Sequence, residues 1–264
     1  MAKSGALAGR EAVADRPVVR NIRVVDLKEV LIKGLNDFKE KPSHIVLLVV
    51  IYPIVGLLSA RLAAGYDILP LIFPLISGFA LIGPLAAIGL YELSRRREKG
   101  LEVAWKNAFD VFHSPSIGSI VALGGLLMVI FLVWLVAALA VYDVTFGSVQ
   151  PESIADFVAK ILGTSAGWTL IVVGCGVGFL FAVTVLAISV VSFPMLLDRD
   201  VGAAVAVQTS IRAVTVNPVT MSVWGLIVAG ALIVGSIPFF VGLAVVMPVL
   251  GHSTWHLYRK VVEP

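Results

Sequence analysis

Charge is scarce in this chain: Asp, Glu, Lys and Arg make up 14% of its 264 residues, against roughly a quarter in soluble domains. The scarcity is also uneven. No charged residue occurs between 45 and 60, 70 and 90, 118 and 141, 169 and 192, or 219 and 251. Ion- or proton-coupled transport usually needs ionisable side chains at membrane depth, so this absence argues against it. Cysteine is almost missing. Cys175 alone excludes an intramolecular disulfide, and its apolar surroundings suit a small packing residue. No phosphate-binding glycine loop, nucleophile triad or paired-carboxylate motif is present, which disfavours an enzyme, and the composition calls for no cofactor. Glu98, Glu102 and Asp110 are expected on a solvated helix face.

What is present is apolar sequence in long blocks. The mean hydropathy is +0.99, far above a soluble domain. The pI near 9.1 does not point to nucleic acid, because the basic residues cluster in short segments beside the apolar blocks, as topology requires. No cleavable leader is expected, since the first long apolar run begins only at Ile45.

Residues 1–24 read as a mobile cytoplasmic tail, and 25–264 as a single membrane domain. Asp26 and Glu29 have the spacing of a capping box. Beyond them Leu27, Val30, Leu31, Gly34, Leu35 and Phe38 share a face, with Lys28, Glu29, Lys33, Asp37 and Glu40 opposite, as in a membrane-surface helix. Spans of about twenty residues are predicted at His44–Leu62, Pro70–Leu93, Ile117–Tyr142, Gly167–Leu197, Val219–Gly235 and Pro238–Tyr258. Pro53, Pro74 and Pro84 predict kinks, and Pro194 a break near the end of the fourth span. A second amphipathic helix should present Leu101, Ala104, Trp105, Ala108, Phe109 and Phe112 on one side. A short outer helix is expected at Pro151–Leu162 and a third inner one at Ala203–Val214. Of 20 basic residues, 18 then fall on one side, and only Arg61 and Lys160 opposite. That places both termini in the cytoplasm.

The inner junctions repeat. Aligned on Pro42, Pro115 and Pro218, apolar residues recur four, seven and eleven positions earlier. After each proline come two spans, and the even spans leave through Tyr91, Phe193 and Tyr258 before a basic residue. The fold class expected is all-α: six transmembrane helices as three helical hairpins, each preceded by an amphipathic cytoplasmic surface helix. The pseudo-repeats cover about 25–98, 99–200 and 201–264, around a threefold axis along the membrane normal.

KGLNDFKEKP before a span, and GLYELSRRREKG before W-K-N-A-F, resemble an uncharacterised family of bacterial predicted integral membrane proteins. That family is a domain of unknown function, some of whose members carry an automatic label as putative cytochrome c oxidase subunits. The resemblance reaches from about residue 20 onward and is most specific at Gly89–Gly100. It implies a bacterial inner-membrane location and supplies no functional residues. A haem-copper catalytic role would need several histidines at membrane depth. The four present, His44, His113, His252 and His256, all fall at the inner ends of spans, so that role is rejected.

His252 and His256, four apart, have metal-ligand spacing that His44 or His113 could complete, although histidine also suits a wet interface. Arg95, Arg96 and Arg97 are expected to anchor topology and could meet anionic lipid headgroups. Gly163, Gly167, Gly174 and Gly178 form small-xxx-small steps for helix packing. Ser77, Thr184 and Ser189 could line a neutral-solute path or bond their own helices. Two functions follow: a non-catalytic accessory, assembly or scaffold partner of a larger membrane complex, such as a respiratory one, or a small transporter or channel for a neutral or amphiphilic solute. The partners expected are membrane lipids and other membrane protein subunits.

Overall fold

The computed structural model describes residues 17–40, 56, 69–147, 153–238 and 241–263. The predicted first span, with His44 and Pro53, lies outside the described residues. Among those described, the regular elements are all helices, and the one β contact is an isolated antiparallel bridge, Val19 to Val262. Four helical stretches are long and apolar enough to cross a membrane: Ile72–Glu98, Ile117–Phe146, Ser165–Asp198 and Pro218–Ser236. They correspond to the second to fifth predicted spans. The stretch predicted as a sixth span is a helix at Leu243–Val261, but its second half carries His252, His256, Arg259 and Lys260 and is too polar to join the four. The described residues therefore support four of the six predicted spans.

Helix α1 (Asp26–Glu40) begins in a tight turn, in which Asp26 N–H donates to the Arg23 carbonyl at 2.9 Å. The predicted capping box does not form. The Asp26 carboxylate accepts the Arg23 N–H at 2.8 Å, and Glu29 turns outward to Lys33 and Lys260. The next stretch is segmented into α2 (Ile72–Phe79), a 3₁₀ turn, α3 (Gly83–Ala86) and α4 (Ile88–Glu98). Pro84, at the start of α3, lacks the N–H that would continue the ladder. The loop after α4 turns at Gly100, whose φ of 67° disfavours a side chain. Trp105–His113 is a 3₁₀ helix. Its three-residue repeat separates Ala108 and Val111, which are buried, from Phe109 and Phe112, which are exposed. The predicted single apolar face, built on an α-helical repeat, is thereby split, and Trp105 and Leu101 also point outward.

Helix α5 (Ile117–Phe146) ends at Gly147, again at positive φ. Helix α6 (Ile154–Gly163) starts with Ser153 accepting the Asp156 N–H at 3.1 Å. Thr164 caps α7 (Ser165–Ser189) in the same manner. The chain breaks there and resumes as α8 (Ser192–Asp198). Pro194 accounts for the break, because its ring would clash with the carbonyl four residues back. The Val191 N–H at the break is satisfied by Ser210 Oγ at 3.2 Å. Helices α9 (Gly202–Val216), α10 (Pro218–Ser236) and α11 (Leu243–Val261) complete the chain.

Among the described residues, the interior between spans is filled by apolar side chains, including Leu127, Trp134, Val185, Met221 and Trp224. Trp134 Nε1 donates to the Pro74 carbonyl at 2.9 Å, joining α5 to α2. Outside the spans the packing follows a rule. The 3₁₀ helix lies on α4, α9 lies on α7 and α8, and α1 lies on α11. The first surface element thus covers the last helix. Helices α1 and α9 are each 15 residues long and bury corresponding positions, Val30, Gly34 and Asp37 in one, Ala206, Ser210 and Ala213 in the other.

Candidate functional site

The ends of α4, α8 and α11, with α1 and the segment 17–25, meet at one end of the bundle, and these elements carry Asp37, Glu92, Ser94, Ser192, His252 and Ser253, half of the buried polar residues among those described. The center of this assembly is Asp37. On α1 the inward positions are Leu27, Val30, Gly34 and Asp37, a 3-4-3 spacing that carries an acidic residue inside. Asp37 was expected on the polar face. It is 6% exposed.

Four side chains converge on it. Ser94 Oγ donates to Asp37 Oδ2 at 2.7 Å, and His256 Nε2 lies 2.9 Å from the same oxygen. Arg97 Nη1 reaches the Asp37 carbonyl at 2.7 Å and Oδ1 at 3.1 Å. His252 Nδ1 is 2.6 Å from Ser94 Oγ. A carboxylate only accepts, so the Ser94 proton goes to Asp37 and the Ser94 oxygen accepts from His252 Nδ1–H. Burial alone would raise the Asp37 pKa. Hydrogen bonds from His256 and Ser94, with the nearby histidine charges, outweigh it and hold the carboxyl at about 2, below the ordinary 3.8.

This is Ser, His and Asp in contact, but not a nucleophilic arrangement. In a hydrolase the imidazole takes the serine proton; here that proton is committed to the carboxylate, and Ser94 is buried. His252 and His256 are brought together, yet both present a ring nitrogen to the Asp37–Ser94 pair. Among the described residues no group of three or more His, Cys, Asp or Glu is placed to hold a metal ion. His252 was expected at a wet interface; it is fully buried, and its Nε2 has no partner among the described residues. His113 is exposed on the 3₁₀ helix, and His44 is outside the described residues.

The three arginines diverge. Arg95 makes a two-pronged pair with Glu92 of its own helix at 2.6 and 2.9 Å. Arg96 reaches Asp110 on the 3₁₀ helix at 3.0 Å, and Arg97 crosses to α1. Arg96 and Arg97 therefore tie the end of α4 to two different elements, whereas Arg95 stays on its own helix. Glu98 and Asp110, expected on a solvated face, are drawn into this web: Glu98 accepts from Trp255 Nε1 at 3.0 Å and Arg259 Nε at 2.9 Å. Glu102 contributes its backbone carbonyl, which accepts from Arg96. Asp198 binds Tyr258 at 2.8 Å and Arg259 at 3.1 Å.

Asn217 was not singled out from the sequence. Its Oδ1 accepts the Ile22 N–H at 2.7 Å, and its Nδ2 donates to the carbonyls of Arg20 and Ala213 at 3.0 and 3.1 Å. It clamps segment 17–25 across the start of α10. Its place just before Pro218, where a helix must end and another begin, was the available signal. A cavity of about 450 Å³ opens above Asp37, Ser94 and His256, with Glu29, Lys33 and Lys260 among its walls.

Elsewhere, Gly167 packs against Ile161 and Gly178 against Trp134, whereas Gly163 and Gly174 face open space among the described residues. Cys175 is exposed. The hydroxyls of Ser77, Thr184 and Ser189 all donate to carbonyls of their own helices, at 3.3, 2.8 and 2.6 Å. No curated protein and no solved structure matches the chain. Residues 72–198, which include the Gly89–Gly100 stretch and three of the four apolar helical stretches, match the model of a family described as predicted integral membrane protein (DUF2189), in agreement with the resemblance read from the sequence.

Proposed function

We propose that the chain is a non-catalytic scaffold or accessory protein that binds other membrane proteins within the bilayer. The observation that carries this reading is the surface of α7. In the stretch Ser165–Asp198, only 6% of the most apolar window is buried against the described residues, compared with 28% for Ile117–Phe146. The uncovered surface includes Gly174, where another helix could approach to backbone distance. The polar groups at the basal end are meanwhile spent on one another, as structural ion pairs are. A six-span arrangement in a bacterial inner membrane, with both termini cytoplasmic, goes with this reading through the one-sided basic charge. A solute pathway finds less support, because the candidate hydroxyls bond their own helices.

The test is isolation of the native protein from its own membrane in mild detergent, beside a Gly174→Leu variant. Stable co-purification of another membrane protein with wild type, lost in the variant, is the expected result. Recovery of wild type as a lone monomer would overturn the proposal.

A further inference from the structure

The cavity above Asp37 has a wall chemistry that the scaffold reading does not use. Arg20, Lys33, Arg97, Arg259 and Lys260 line it, facing the carboxylates of Glu29, Asp37 and Glu98. Those carboxylates are already engaged: Glu29 by Lys33 and Lys260, Asp37 by Ser94, Arg97 and His256, and Glu98 by Trp255 and Arg259. The acids that complete the remaining ion pairs, Asp26, Glu40, Asp198 and Glu263, are not part of the cavity wall. The wall surface itself thus presents five cations and three carboxylates, with the other four acids paired to its cations from behind.

The cations also have donors to spare. Arg20 spends Nε on Glu263, Arg97 spends Nε and Nη1 on Glu40 and Asp37, and Arg259 spends Nε and Nη1 on Glu98 and Asp198. Among the described residues, the Nη2 atoms of all three guanidinium groups have no partner. Planar guanidinium N–H groups match the oxygens of phosphate as they match those of carboxylate. The volume of about 450 Å³ is that of a small-molecule site. Its floor lies where α4 and α11 end, at the level at which a span leaves the bilayer and lipid phosphates lie.

We propose that this cavity binds a phosphate-bearing anion, taken either from a lipid headgroup or from solution. The two sources share the chemistry of recognition and differ in what must accompany the phosphate.

The experiment uses the full chain and two variants. Arg20→Gln with Lys33→Gln removes two wall cations whose side chains are about half exposed, 47% and 54%, so folding should be kept. Lys106→Gln removes a basic residue outside the cavity wall. One arm titrates inorganic phosphate against detergent-purified protein and follows Tm, with sodium chloride at matched ionic strength as reference. The other arm reconstitutes the protein in nanodiscs of phosphatidylcholine with or without phosphatidylglycerol and measures, by native mass spectrometry, the lipid that stays bound. A saturable phosphate shift, weakened about tenfold or more in the double variant and unchanged by Lys106→Gln, supports the site with a soluble ligand. Phosphatidylglycerol retained by wild type and Lys106→Gln but not by the double variant supports it with a headgroup. The proposal is overturned if neither probe binds, or if the double variant binds as wild type does.

Discussion

Asp37 serves Ser94, Arg97 and His256 at once, so neutralising it strands a cation and two polar side chains in a largely buried site. Asp37→Asn should destabilise the fold by about 3 kcal/mol, the scale of breaking a buried ion pair from one side, read by thermal unfolding through tryptophan fluorescence. Gln in place of Glu29 should leave stability near wild type, because that carboxylate meets Lys33 and Lys260 in solvent. The pH dependence has a definite sign. The folded Asp37 carboxyl titrates at about 2, below its ordinary 3.8, so its stabilisation is complete above pH 4 or so and is lost as pH falls toward about 2. The stability gap between wild type and Asp37→Asn should therefore close over that interval. A gap that stays constant from pH 5 to the acid limit would show that the carboxylate charge is not what the site uses.

At the scale of elements, the closest joint is between α1 and α11. A methyl group on Gly34 would lie 2.0 Å from Ser253 Oγ, and also 2.6 Å from the Ser253 backbone nitrogen and 2.8 Å from the Val249 carbonyl, backbone atoms that a side-chain rotation cannot move. Gly34→Ala should lift α1 from α11 at a cost of about 1–3 kcal/mol and speed amide exchange along Asp26–Glu40, whereas Gly174→Ala, facing open space, should do neither. The apolar helices were legible because hydropathy is a sum over twenty residues and survives any local error. The surface elements were legible as helices but not in their orientation. Leu35, Trp105 and Phe109 were grouped on one apolar face with Gly34 or Ala108, yet all three are exposed. Small Gly34 and Ala108 took the inward places, because backbones that touch leave no room for large side chains. Asp37 could not be found by counting charges; it followed only from extending the Leu27–Val30–Gly34 spacing by one step. The partners that converge on it come from residues 94, 97, 252 and 256, and a single sequence carries no record of which distant segments meet.

At the scale of the molecule, the junctions beside Glu98, Ile117, Asp198 and Pro218 and the bridge from Val19 to Val262 gather at one end, while α6 lies at the other. The one-sided distribution of arginine and lysine predicts that the first end faces the cytoplasm. With Cys175 replaced by Ser, a cysteine introduced at Val158, on α6, should react with an impermeant maleimide in intact cells, and one at Val18 only after lysis; the opposite pattern would invert the orientation. The 3₁₀ helix and α9 each lie on helices that precede them in the chain, and α1, which has no such predecessor among the described helices, lies on α11. That closure has a consequence for biosynthesis. Helix α1 emerges from the ribosome early, but its partner follows roughly 200 residues later, which at about 5–20 residues per second is a delay on the order of ten seconds or more. Throughout that interval Leu27 and Val30 have no protein to cover them, so the newborn helix must shelter against the bilayer or a chaperone until synthesis of the last helix releases it.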